Sequence, residues 1–205
     1  MERYKNQSDI FTPIDIPIHI IGIGGIGSWT AFILAKMGCQ DINLYDFDEV
    51  EDHNIASQIY KEDQIGLSKQ QSLQQNIKDF SGINCSLFSI EQEINIRRGI
   101  VIIAVDSMEE RIKLYNIFKD KDVFIIDGRM GGLQLEIYNS PASQYNETLV
   151  DPNNVEPDAC TAKSICFNCA IIGGLIANFV RQYLQGTLPC HQVTFGFNDL
   201  MLLKK

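Results

Sequence analysis

Apolar and polar positions along this chain fall into blocks of two periods. Short apolar runs at 16–22, 42–46, 83–90, 100–105, 123–127 and 132–138 have the length of strands and are bounded by Gly, Asn, Asp and Ser. Between most of them apolar residues recur at spacings of three and four, as Leu73, Ile77 and Phe80 do after the polar stretch Ser68-Lys69-Gln70-Gln71. That spacing predicts helices at about 26–37, 66–79 and 108–119, each with one face to bury. Strands alternating with helices build βαβ units, so the predicted class is α/β, with a mostly parallel sheet flanked by helices. From 139 to 164 the pattern gives way to Pro, Asn, Asp and Glu. A connection of that length in a compact domain is commonly functional, and it is a candidate crossing loop. A long apolar helix follows over 165–184, with Gly173-Gly174 inside it to permit close packing. The runs at 191–197 and 200–203, parted by Asn198-Asp199, predict a C-terminal antiparallel hairpin. Residues 1–205 are expected to form one domain without repeats.

Composition narrows the function classes. The net charge of −9 argues against nonspecific nucleic acid or anionic membrane as a partner, because both need surplus Lys and Arg to displace counterions. The polar start Glu2-Arg3-Tyr4-Lys5-Asn6 has no apolar signal region, and no run reaches the length of a membrane span, so a cytoplasmic location is expected. The six cysteines are scattered rather than framed, and reduced thiols are expected.

The first chemical feature is the junction Ile18-His19-Ile20-Ile21-Gly22-Ile23-Gly24-Gly25-Ile26-Gly27-Ser28. A buried strand runs straight into a glycine turn and an apolar helix. Gly22, Gly24, Gly25 and Gly27 let bare backbone N–H groups approach an anion, and the helix aims its positive end at the same point. This spacing belongs to Rossmann-like nucleotide sites. The second strand ends at Asp46, about twenty residues after the turn, where such sites hold the ribose hydroxyls.

Beyond Asp46 the motifs depart from a dehydrogenase. In order they are the glycine turn 22–27, Asp46-Phe47-Asp48-Glu49-Val50, Asn54-Ile55-Ala56-Ser57-Gln58, Gly66-Leu67-Ser68-Lys69 and Val105-Asp106-Ser107. This series resembles the family of ThiF, MoeB and the ubiquitin-activating enzymes, over nearly the whole chain. The resemblance implies a domain that binds ATP and magnesium and adenylates the C-terminal carboxylate of a small ubiquitin-like or sulfur-carrier protein ending in Gly, releasing pyrophosphate. It also implies a homodimer, or a heterodimer with a homologue.

The resemblance assigns roles that suit the chemistry. Attack of a carboxylate on phosphorus joins two anions, so it needs positive charge and positioning more than a strong base. Lys69 would meet the phosphates. Asp106 would hold magnesium, a hard cation that favours carboxylates and keeps several waters. Asp46 and Asp48 would lie on the nucleotide, and Asn54 and Gln58 at its phosphates. Without the motif order, Lys69 reads as an exposed helix lysine and Asp106 as a helix cap beside Ser107.

Two departures stand out. The family's N-L-x-R-Q arginine is Ser57 here, and its N-terminal R-Y-x-R-Q segment, whose second arginine reaches the partner's nucleotide, reads Arg3-Tyr4-Lys5-Asn6-Gln7. A phosphate-directed arginine contributes several kcal/mol to a transition state. Arg3, Lys5, Lys61 and Arg129, the last in a segment matching the family's R-M-x-G, are the candidates to compensate.

The segment Ala159-Cys160-Thr161-Ala162-Lys163-Ser164 resembles the C-T-x-[RK]-S context of the catalytic cysteine in ubiquitin-activating enzymes. Cys160 would then take the acyl group from the adenylate as a thioester, with Lys163 favouring its thiolate. A structural cysteine is the alternative. Cys166-Phe167-Asn168-Cys169 is a single C-x-x-C at a helix start, half of the relatives' zinc set, and no zinc is expected. His19 is expected to be a satisfied core residue and Trp29 a packing residue. Two further readings stand beside adenylation: a non-catalytic nucleotide-binding subunit of a heterodimer, suggested by the lost arginines, and an NAD-dependent oxidoreductase, suggested by the glycine turn and Asp46 alone.

Overall fold

The computed structural model describes residues 2–89, 95–151 and 164–205. Their centre is an eight-stranded sheet. The strands are β1 (Ile18–Ile21), β2 (Ile42–Tyr45), β3 (Ser86–Phe88), β4 (Arg98–Ile103), β5 (Asp122–Gly131), β6 (Gln134–Pro141), β7 (Gln192–Gly196) and β8 (Met201–Lys204). They lie side by side in the order β3-β2-β1-β4-β5-β6-β7-β8. Pairing is parallel from β3 to β5 and antiparallel from β5 to β8. The helices are α1 (Gly25–Met37), α2 (Lys69–Ser81), α3 (Met108–Phe118) and α4 (Cys166–Leu184).

Alternation along the strands divides the core between the two faces of the sheet. In β4, Ile100 and Ile102 join Ile20, Leu44 and Ile126 beneath α1, α2 and α4. Val101 and Ile103 point the other way, with Ile21 and Ile125, to meet Leu114 and Phe118 of α3. Parallel strands buried on both faces read as continuous apolar runs, which is why these were legible. On the first face α1 and α4 cross closely at Gly173, where a Cβ would come within 2.9 Å of Trp29 Cβ, whereas Gly174 faces open space.

Three expectations need correction. The run 83–90 yields only the three-residue edge strand β3. The run 132–138 forms β6, which returns antiparallel from β5 through Gly132, at φ +59°. The sheet therefore stops being parallel one strand earlier than a βαβ reading suggests, because a glycine turn, with no helix, separates the two runs. Third, 139–164 is not loop throughout. Residues 139–141 complete β6, and Ala142–Thr148 forms a 3-10 helix that buries Ala142, Tyr145 and Thr148. Tyr145 is fully enclosed, and its hydroxyl donates to Asp127 at 2.9 Å. Residues 152–163, including Cys160 and Lys163, lie outside the described residues.

Candidate nucleotide site

Parallel register brings the carboxyl ends of β1, β2, β4 and β5 to one edge of the sheet. The glycine turn follows β1, Asp46 and Asp48 follow β2, Asp106 follows β4, and Asp127 to Arg129 lie along β5. Motifs more than one hundred residues apart thus share one rim, where open α/β sheets bind their ligands.

The turn is built by exclusion of side chains. Gly22 has φ +83°, and a Cβ there would lie 2.7 Å from the Ala104 carbonyl oxygen. A Cβ on Gly27 would fall 1.9 Å from the Gly22 carbonyl oxygen, and one on Gly25 would meet Cys169 Sγ at 2.9 Å. Gly24 caps α1 without a side chain, and the first bond into the helix runs from Ser28 N–H to the Gly24 carbonyl at 3.0 Å. The N–H groups of Gly25, Ile26 and Gly27 precede that bond and point outward at the helix's positive end. Bare glycine there leaves room for an anion.

Asp46 braces this turn. Its Oδ2 accepts the Ile23 N–H at 2.8 Å and its Oδ1 accepts the Asp48 N–H at 2.8 Å. Each oxygen keeps a further lone pair for a ribose hydroxyl. Tyr60, which the sequence motifs did not single out, closes the turn from below by donating its hydroxyl to the Ile23 carbonyl at 2.7 Å. Burial first, and then the carboxylates of Asp46 and Asp48, push its phenol well above the usual range.

Lys69, the first residue of α2, donates from Nζ to Asp48 Oδ2 at 2.7 Å. Its side chain is 9% exposed and that of Asp48 is 49% exposed, so the exposed-lysine alternative does not describe it. Asn54 uses its Oδ1 to accept the Glu51 N–H at 2.9 Å and close its own turn. Gln58 faces the glycine turn: its Nε2 lies 3.9 Å from where a Cβ on Gly24 would be, and its Oε1 has no partner among the described residues.

Asp106 is exposed on the bend after β4. Ser107, not Asp106, caps α3, with Oγ accepting the Glu110 N–H at 3.1 Å. Glu110 was also missed in the sequence. Its carboxyl is held above the usual range by burial and then by Asp106, with Asp48 adding to the shift and Lys113 and Arg111 opposing it. No close set of three possible metal-binding side chains occurs among the described residues. An open rim of carboxylates that leaves a cation most of its waters fits magnesium.

Three of the four candidate compensating cations have side chains bonded within the fold. Arg3 donates to the Ser81 carbonyl at the end of α2, and Lys61 Nζ lies 3.4 Å from Asp79. Arg129 is committed within the fold: Nε donates to Asp127 at 2.7 Å, both Nη atoms donate to Thr148, and the guanidinium lies 4.2 Å from the Tyr138 ring centroid. Ser57 is buried, its carbonyl accepting from Trp29 Nε1 at 2.9 Å and its Oγ accepting from Ser164 Oγ at 3.2 Å. Trp29 thus bonds as well as packs. His19 Nδ1 lies 3.0 Å from the Tyr45 hydroxyl, and burial lowers its pKa. Cys166 is exposed, whereas Cys169 is buried beside Gly25 and burial pushes its thiol up to about 11.

Comparison with known proteins now bears on these motifs. The model of the ThiF family matches residues 14–203. The chain belongs to the ThiF family. It is 26% identical over 148 residues to the tRNA threonylcarbamoyladenosine dehydratase of Escherichia coli K12, covering 67% of this chain and 55% of that protein. To the ubiquitin-like modifier-activating enzyme 5 of Oryza sativa subsp. japonica it is 37% identical over 82 residues, 40% of this chain and 19% of that one. To the adenylyltransferase and sulfurtransferase MOCS3 of Caenorhabditis briggsae it is 32% identical over 131 residues, 58% of this chain and 32% of that one. The microcin C7 biosynthetic enzyme MccB in complex with N-formylated MccA shares the fold at a TM-score of 0.74 and 16% identity, over 100% of this chain and 65% of that chain. PaaA gives 0.73 at 19%, with the same coverage. The chain thus spans about half the length of the dehydratase, and less of the other two relatives.

Proposed function

We propose that this chain binds ATP at the glycine turn and adenylates the C-terminal carboxylate of a small ubiquitin-like or sulfur-carrier protein. The observation that carries the reading is the start of α1 at Gly24, which no side chain caps among the described residues, with the Lys69–Asp48 pair and Asp106 on the same rim. A carboxylate oxygen attacks the α-phosphorus, the bond to the bridging oxygen breaks, and pyrophosphate leaves with the electron pair. The α1 amides and Lys69, once it exchanges Asp48 for phosphate, meet the negative charge. Asp46 holds the ribose, and Asp106 with Glu110 nearby would hold magnesium, which screens the triphosphate. Relatives named for modifier activation and for adenylyl transfer support this class, as does an E. coli MccB structure with ATP that shares the fold at a TM-score of 0.69. The dehydratase relative is named for a tRNA nucleoside. A net charge of −9 favours a protein carboxylate over tRNA here.

The acyl adenylate would pass to Cys160, whose thiolate attacks the acyl carbon and displaces AMP. We place the protein in the cytoplasm, acting as a homodimer or with a homologue. Ser57 and Arg3, both bonded within the chain, favour a second reading, a nucleotide-binding subunit whose partner performs the chemistry. The test is magnesium-dependent exchange of pyrophosphate into ATP with candidate carriers. Exchange, with a melting temperature raised by ATP and magnesium but not by NAD, is expected. Stabilisation by ATP without exchange selects the subunit reading, and stabilisation by NAD alone rejects both. Cys160→Ala should retain exchange and lose a reductant-sensitive adduct with the carrier.

A further inference from the structure

Asp106 stands on a bend, its side chain without a hydrogen-bond partner among the described residues, and the turn that follows it is tied to the interior by Arg111. Arg111 is 3% exposed. Its Nη1 donates to the Ser107 carbonyl at 3.2 Å, its Nη2 to the Gly128 carbonyl at 3.2 Å, and its Nε to Asp127 Oδ1 at 3.1 Å. The helix's own bond at this point is long, with Arg111 N–H to the Ser107 carbonyl at 3.4 Å. The guanidinium therefore gives that carbonyl a second donor and links it to β5. Asp127 is 0% exposed and cannot move to follow a displaced arginine, because Arg129 and Tyr145 hold the same carboxylate.

From these contacts we infer that Arg111 is a positioning residue for the cation site at Asp106: it clamps the first turn of α3 to β5 so that the Asp106 carboxylate is presented to the nucleotide rim. A guanidinium is needed because three acceptors in different directions must be met by one buried group, which an ammonium on a flexible stem cannot do in the same geometry. The inference rests on the adenylation reading for the role of Asp106 itself.

The test follows magnesium rather than activity alone. ATP binding is titrated by calorimetry at increasing magnesium in the wild type, Arg111→Lys, Arg111→Gln, Ser107→Ala and Tyr145→Phe. Loss of support behind a metal-binding carboxylate weakens metal affinity about tenfold or more, so Arg111→Lys should raise the half-saturating magnesium concentration by about that factor, with ATP still bound at saturating magnesium. Tyr145→Phe touches the same buried carboxylate but not Ser107, and should lower the melting temperature without moving the magnesium midpoint. Ser107→Ala removes the cap on the Glu110 N–H and leaves the carbonyl that Arg111 holds, so it should move the midpoint less than Arg111→Lys does; Arg111→Gln, which also loses the contacts to Asp127 and Gly128, decides the question should Arg111→Lys fail to fold. An unchanged midpoint in the folded Arg111 variants, or an equal shift in Tyr145→Phe, overturns the inference while leaving the adenylation reading standing. Absence of any magnesium effect on ATP binding in the wild type overturns both.

Discussion

Two ion-pair groups stand on the same sheet edge and differ in how much water they keep. Lys69 and Asp48 form a single contact with the carboxylate about half exposed, so either partner can exchange the other for a ligand. Asp127 is sealed, with Arg111, Arg129 and Tyr145 converging on it. Charge that must change partners during a reaction is left near solvent, where release costs little. Charge that must not move is buried and bonded in several directions, where removing one partner strands the others. On the proposed reading, the same rim carries an exchangeable pair for phosphate and a fixed cluster for architecture.

The largest effect should come from breaking the fixed cluster. Asp127→Ala leaves the buried Arg111 and the part-buried Arg129 without a counter-charge and should cost about 3–5 kcal/mol in denaturant unfolding. Asp48→Ala strands Lys69, whose side chain is 9% exposed, but opens it to water on the side of the half-exposed carboxylate, and should cost less, about 1–3 kcal/mol. Equal costs for the two would erase the contrast.

Next in size is the functional half of the comparison. Lys69→Ala removes a charge-assisted contact of about 1.5–3 kcal/mol, so pyrophosphate exchange should fall on the order of 10–100-fold. Asp106→Ala should remove the magnesium dependence of ATP binding while shifting unfolding by less than about 0.5 kcal/mol, as an exposed residue that caps nothing should. A larger loss of stability than of exchange would return both residues to structural roles.

What sequence patterns revealed and hid follows the same division. The glycine turn, the strand ends and the motif order were readable because each is local, a handful of residues whose types dictate a backbone shape. The burial of Lys69 was not, since it depends on β2 and α2 meeting at Asp48. The fixed cluster was hidden for the same reason. Arg129 reads as a free cation until β5 and the 3-10 helix at 142–148 are seen to share it. One signal was available: an aspartate ending the apolar run Val123-Phe124-Ile125-Ile126 is a buried acid that must be paired. The 3-10 helix was missed because its polar letters conceal one large buried residue, Tyr145, and no period of 3.6 announces so short an element. Serine at 57, read as the loss of an arginine, is in the structure a packed, bonded residue beneath Trp29 and Ser164.

The smallest effect is a pH dependence at the boundary between the two groups. Glu110 is raised above the usual carboxylate range by burial and by Asp106, with Asp48 adding and Lys113 and Arg111 opposing. A carboxyl whose folded pKa lies above its unfolded value gives stability that is complete below the unfolded pKa and is lost as pH rises through the folded one. Thermal melts between about pH 4 and 7 should therefore show Glu110→Gln gaining on the wild type as pH increases. Magnesium with ATP should shrink that gain, because a cation at Asp106 offsets the repulsion and lowers the Glu110 pKa. Asp106→Asn should do the same without magnesium. A gain that ignores both magnesium and Asp106 would assign the shift to burial alone and detach Glu110 from the cation site.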